Sequence, residues 1–127
     1  MVDYEKMRVQ RTKDDPYGMH NGIELTKVSE GFAEARMEVT PDLINPYNVV
    51  HGGALFSIAD IAGGAAAASH GIAAVTLDAD LHFMRPALNC KAIIARAEEI
   101  KFGRRAMVFR LQVMNEAQTV LAEGIFT

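Results

Sequence analysis

The sequence predicts an α+β fold in which an antiparallel sheet of five to six strands wraps one long buried helix, with a short helix at the N-terminus. Three observations carry this. From Gly53 to Ser69 the chain is nearly all apolar or small, with a single carboxylate at Asp60. Ala54, Leu55, Phe56, Ile58, Ala59, Ile61, Ala62 and Ala65 to Ala68 go all the way round that helix, and a helix apolar all round is enclosed. Phe32 to Val39 sets Phe32, Ala33, Ala35, Met37 and Val39 against Glu34, Arg36 and Glu38, and Ala106 to Met114 likewise has one plainly apolar face; a period of two marks a strand with one wet side. After the helix, strand-like segments follow one another with only turns between them, the order of antiparallel neighbours.

Taken in order, Asp3 to Lys13 carries Tyr4, Met7 and Val9 among charges and reads as the short helix. Asp14-Asp15-Pro16-Tyr17-Gly18 is a turn cluster. Ile23 to Val28 and Phe32 to Val39 are strands joined through Ser29-Glu30-Gly31. Thr40-Pro41-Asp42 ends the second, and Pro46 keeps the chain irregular up to His51. The helix then runs to Gly71, a natural stop. Its adjacent glycines, Gly63 and Gly64, each cost about 1 kcal/mol against Ala in a helix interior, which points to close approach of another backbone. Ile72 to Met84 reads as one long strand closed by Arg85-Pro86, Ala92 to Phe102 as another, then the Gly103-Arg104 turn, Ala106 to Met114, the Asn115 to Gln118 turn and a closing strand from Thr119 to Phe126.

A length of 127 residues suits one domain with a single core. Half the residues are apolar and the net charge is −3, which argues against disorder and against general binding to nucleic acid or an anionic membrane. The Gly53 to Ser69 run is short for a membrane span and carries Asp60. Met1 to Lys6 opens polar and charged, unlike a secretory leader, and the lone Cys90 excludes an intramolecular disulfide. A reducing, cytoplasmic setting is expected. His20, His70 and His82 show no ligand spacing, so no metal is expected.

The chemistry is expected around the central helix. A carboxylate in an apolar helix is costly unless it is paired, protonated or put to use. His51-Gly52-Gly53 stands where the helix begins, where N–H groups lack intrahelical partners and glycine lets a ligand approach the backbone. With the positive end of the helix dipole, these donors suit an oxygen acquiring negative charge. Gly52 and Asp60 are eight residues apart, roughly 12 Å along a helix. An oxyanion donor and an acid that activates water must both lie within a few Å of one carbonyl. If both act on one substrate, Asp60 must therefore meet the Gly52 of a second chain, in a dimer with two composite sites.

Asn45, His51-Gly52-Gly53 and Asp60, followed by V-T-L-D-A-D-L-H-F-M-R-P-A and K-F-G-R-R, resemble the hotdog-fold acyl-CoA thioesterases, and within them the phenylacetate-pathway (PaaI-like) subgroup. The resemblance runs from about Gly22 to Thr127. It implies hydrolysis of an aryl- or medium-chain acyl-CoA to free acid and CoA. Asp60 would act as general base or nucleophile, and the Gly52 N–H would polarise the carbonyl. Asn45 matches a family position whose amide orients the thioester or the water, and Thr76 one where a Ser or Thr holds the attacking water. His51 either touches substrate or pins the loop, the second being favoured. Gly53, Phe83, Arg85, Gly103, Arg104 and Arg105 are candidates for contacting substrate, the arginines through the CoA phosphates. No cofactor is implied, since CoA is part of the substrate. A homodimer is implied, and a dimer of dimers is common among related proteins. Two other functions fit the same fold: a non-catalytic acyl-CoA-binding module, and an acyl-thioester hydratase or dehydratase, from whose pairing of His with an acid the H-G-G-x6-D arrangement departs.

Overall fold

Helix α3, Gly52–Ala68, is the element on which the others pack. In the computed structural model, which describes all 127 residues, it lies across the inner face of a six-stranded sheet. The strands are β1 (Ile23–Ser29), β2 (Phe32–Glu38), β3 (Ala79–Phe83), β4 (Ala92–Phe102), β5 (Met107–Asn115) and β6 (Val120–Phe126). Their order across the sheet is β1-β2-β4-β5-β6-β3, every neighbouring pair antiparallel. Inward alanines at 33, 35, 95 and 97 meet Ala59, Ala62, Ala65 and Ala66 of the helix, all without solvent exposure. Small residues on both surfaces let helix and sheet close together, and Met37, Ile58, Ile93 and Leu111 fill the remaining volume.

The chain encloses α3 on one side only. Leu55, Ile58, Ala59, Ala62, Gly63 and Ala65 to Ala67 are buried, but Phe56, Asp60, Ile61 and Gly64, spaced for one helical face, are not. The expectation of a helix covered all round is therefore corrected for the single chain: a stripe of apolar surface containing Asp60 remains open. The paired glycines differ from expectation too. Within the chain they face side chains, Gly63 those of Leu111 and Phe126 and Gly64 the guanidinium of Arg11, and no second backbone.

Two elements depart from the sequence reading. The turn expected over Asp14 to Gly18 gives way to a second short helix, α2 (Pro16–His20), after α1 (Tyr4–Lys13). Asp15 caps it by accepting from the Gly18 N–H, and Pro16 opens it, so the residues that signal a turn equally signal a helix start. The long strand expected from Ile72 to Met84 is a strand only from Ala79 to Phe83. Its partner β6 stops at Phe126, and the last backbone contacts are the exchange between Asp78 and Thr127 and the Leu77 N–H on the Thr127 carbonyl. Residues 72 to 76 run past the end of β6 with nothing to pair against. Where the two strands do pair they are close: a Cβ added to Gly124 would fall on the Asp80 carbonyl, so only glycine fits there.

Candidate active site

The loop before α3 is tied down by its own backbone. Val50 and His51 donate to Ala87 and Leu43 carbonyls at 3.1 and 2.7 Å. Asn45 accepts through Oδ1 from the N–H groups of Tyr47 (2.9 Å) and Val49 (3.3 Å), and its own N–H reaches the Val49 carbonyl. Those two bonds fix which way the carboxamide points and leave its Nδ2 donors without a partner in the chain. Asn48 sits at φ 65°, a turn position that suits Asn.

At the helix start, His51 is the N-cap residue and its Nδ1 accepts from the Gly53 N–H at 2.8 Å. The His51 carbonyl takes the N–H groups of Ala54 and Leu55. The Gly52 N–H has no acceptor within the chain. This leaves one aligned donor at the positive end of a 17-residue helix. The ring of Phe83 lies over it, 3.6 Å from where a Gly52 Cβ would be. A Cβ on Gly53 would come within 3.1 Å of the His51 Nδ1 and disturb the cap.

Two turns further along, Asp60 accepts through Oδ1 from the Thr76 hydroxyl at 2.5 Å. The bond fixes the carboxylate and leaves Oδ2 directed elsewhere. Both residues line a cavity of about 1090 Å³, open to solvent, whose walls include Ile61, Val75, Phe109 and Phe126. Its outer wall comes from α1, with Met7 among the contacts, an element that carried no sign of this position in its local pattern. Asn45, His51, Gly52 and Gly53 do not line this cavity; His51 and Gly53 open instead on a smaller hollow of about 430 Å³ beside Tyr17 and Ser57. One chain therefore brings Asp60 to Thr76, and Asn45 to His51 and the glycines, but not one group to the other.

The basic residues also divide. Arg85 follows β3 and donates to the Val120 carbonyl at 2.7 Å, beside the β5–β6 turn. Arg104 and Arg105 are exposed in the β4–β5 turn at the other end of the strands, and Arg105 reaches the Asp60 cavity. Gly103 is needed there, because a Cβ would stand 2.7 Å from the Ala106 carbonyl oxygen that its N–H bonds. Burial, with the charge of Glu116 adding to it, pushes the Cys90 thiol up and away from a reactive thiolate. No group of three or more His, Cys, Asp or Glu side chains stands together as a metal site, and no helix is long and apolar enough to cross a membrane.

The model of the thioesterase superfamily matches residues 47–122, which span the loop from Tyr47 on, α3, the Thr76 segment and most of the sheet, and begin just after Asn45. This chain belongs to the thioesterase superfamily. The acyl-coenzyme A thioesterase PaaI of Escherichia coli is 35% identical over 101 residues, covering 80% of this chain and 72% of that protein. The solved structure of Escherichia coli PaaI, from the phenylacetic acid degradation operon, superposes with a TM-score of 0.86 at 29% identity, covering 98% of this chain and 94% of that one. A mutant of the phenylacetic acid degradation protein PaaI from Thermus thermophilus gives 0.80 at 30% identity, over 88% and 97% of the two chains. The fold is the hotdog fold of the PaaI-like thioesterases, and the protein is a thioester hydrolase.

Proposed function

We propose that the protein hydrolyses aryl- or medium-chain acyl-CoA thioesters at sites shared between two copies of the chain, in the cytoplasm. The observation that carries this is the separation on α3: an unpartnered Gly52 N–H at its start and a fixed carboxylate about 12 Å along it. The name of the Escherichia coli relative supplies the substrate class. The bare outer edge of β3 and the open stripe on α3 supply a place for the second copy.

In this reading the thioester oxygen accepts from the Gly52 N–H of one copy, at the positive end of its helix, while the carbonyl carbon faces Asp60 of the other. As general base, Asp60 takes a proton from water as the oxygen attacks. The tetrahedral intermediate, its oxyanion held by Gly52, then expels the CoA thiolate, which recovers the proton. As nucleophile, Asp60 attacks the carbon itself, expels the thiolate and forms a mixed anhydride that water opens. Thr76 holds the carboxylate in either course, and the free Nδ2 of Asn45 orients the thioester or the water. His51 acts through the loop, holding Gly53 so that the neighbouring N–H stays aimed outward. Arg104 and Arg105, with Arg85 from the far side, meet the CoA phosphates. Gly53 and Gly103 are taken to offer backbone to the CoA tail, and Phe83 to cover it. CoA leaves as product and no separate cofactor takes part. Two such dimers are taken to associate further.

The test is complementation. Asp60→Asn should lower the rate of thiol release from a panel of aryl- and alkyl-CoAs by about 10²- to 10⁴-fold while the protein stays folded. Gly52→Pro removes the other half. Mixed in equal amounts and refolded together, the two inactive variants should regain about a quarter of the wild-type rate, because half the dimers are mixed and each of those holds one intact pair. No regain would mean that the site lies within a chain. Binding of acyl-CoA by wild type without thiol release would favour a non-catalytic module.

A further inference from the structure

The cavity that holds Asp60 also receives a cation that the mechanism leaves unused. Near its C-terminal end α1 sends Arg11 across to α3, where a Cβ added to Gly64 would lie 3.1 Å from the Arg11 Nη2. Gly64 is one turn beyond Asp60 on the same helical face, about 6 Å along the axis. The glycine is what allows a guanidinium to rest against the helix backbone at this point.

Nothing in the chain uses that guanidinium. Arg11 is absent from every ion pair of the protein. The carboxylates around the cavity are each engaged: Asp3 accepts from the Lys6 N–H (3.0 Å), Asp14 from the Gln10 amide (2.9 Å), Asp15 from the Gly18 N–H (3.0 Å), and Asp60 from Thr76. Favourable interaction with the end of the α1 dipole does not account for its position either, since Lys13 serves the same turn and Arg11 reaches away from it. The same cavity is lined by Ile61, Phe109 and Phe126, so apolar surface accompanies Asp60 and Arg11 in its wall. An acyl group entering beside Asp60 would therefore meet both hydrocarbon and, one helical turn along at Gly64, a fork of unspent N–H donors.

We propose that Arg11 selects the acyl group: it hydrogen-bonds an oxygen acceptor, a carboxylate best of all, carried about 6 Å from the reacting carbonyl. This rests on the hydrolytic reading for its substrate and narrows the acyl class to chains that are apolar in the middle and oxygen-bearing at the far end.

Adipyl-CoA and hexanoyl-CoA, matched in carbon count, are the probes. Arg11→Met should lower kcat/KM for adipyl-CoA by roughly 10- to 100-fold and leave hexanoyl-CoA unchanged. Gly64→Ala, which presses on the guanidinium, should give a smaller loss with the same selectivity. An equal loss on both substrates would place Arg11 on the CoA phosphates, which the two share, and overturn the assignment, as would no loss on either. Calorimetric binding of the corresponding thioethers, which cannot be hydrolysed, separates this from the hydrolytic reading. Should wild type release no thiol from either ester, a weaker adipyl thioether in Arg11→Met with an unaltered hexanoyl thioether still supports the assignment, and no difference overturns it.

Discussion

The two edges of the sheet are treated differently: the chain covers one and leaves the other bare. At β1 the chain covers its own edge. Arg8 of α1 donates to the Leu25 carbonyl at 2.8 Å, and Thr12 accepts from the Leu25 N–H at 3.1 Å. A bulge between Leu25 and Lys27 interrupts the ladder as well. Side chains and bulges of this kind stop an edge strand from recruiting another. At β3 none of this is done. Asp78 and Thr127 exchange both backbone bonds, so Asp80 and His82 aim inward at β6 while Ala79, Leu81 and Phe83 aim their backbone groups at solvent. Around them Val75 and Leu77 are 94% and 81% exposed, and Phe83 and Met84 about half. One edge is closed by the chain itself; the other is left open, and it is the edge at which the proposed second copy would pair.

Charging the open side should have the largest effect. Val75→Glu with Leu77→Glu should cost a lone chain no more than about 0.5 kcal/mol per site, because both side chains stand in water. Against a partner the same charges would be buried without counter-ions, a cost of several kcal/mol. Sedimentation should therefore show the double variant as a folded monomer, and thiol release should fall to background. Retained assembly with full activity would mean that copies meet elsewhere.

Gly52→Pro tests the donor without touching assembly. Gly52 is the first helical residue, where proline is tolerated, and His51 at φ −59°, ψ 137° already has the backbone a residue before proline requires. The N–H is replaced by the ring Cδ, and the added Cβ stands in ordinary contact with Phe83 at 3.6 Å, so the helix start keeps its backbone while the donor is lost. A fall of about 10²- to 10³-fold in kcat is expected, with the oligomer intact. An effect confined to KM would show that the group binds substrate without stabilising the oxyanion.

Thr76→Val, nearly the same shape, removes the hydroxyl that holds Asp60 and should lower kcat by roughly 10- to 100-fold without dissociating the protein. A rate unchanged from wild type would leave the hydroxyl as a packing feature of an irregular segment.

Local pattern carried the helix and five of the six strands, because periodicity is a property of a segment's own residues. It failed where a neighbour decides the outcome. Ile72 to Met84 alternates like a strand throughout, yet residues 72 to 76 lie beyond the end of β6 and have no ladder to join. Asp15-Pro16 signals a turn and a helix start equally well, and only the cap bond to Gly18 separates them. Asp60 and Thr76 are sixteen residues apart, and nothing local announces the bond between them. Arg85, Arg104 and Arg105 share one expected role on the CoA phosphates, yet the length of the strands sets Arg85 at the opposite end of the sheet from the other two, which no local pattern announces. The eight-residue interval from Gly52 to Asp60, by contrast, was legible as a distance because helical rise is fixed.

The closed half of the sheet should answer to pH through stability alone. Burial raises the Glu34 pKa, but hydrogen bonds from Arg96 and Thr26, both 2.8 Å, together with the Arg96 charge, outweigh it and hold the carboxyl below its ordinary value. A carboxylate whose pKa is lower in the folded state contributes stability above the unfolded-state value, about 4.3 for Glu, and that stability is lost as pH falls through the folded value. Wild type should therefore lose Tm more steeply on acidification from neutral pH than Glu34→Gln, the two curves converging at the acid end, with thiol release at neutral pH the same in both. Parallel Tm curves would mean that the Glu34–Arg96 pair is not part of what holds β2 to β4. A change in rate would mean that the closed edge is coupled to the site, and the division between the two halves of the sheet would fail.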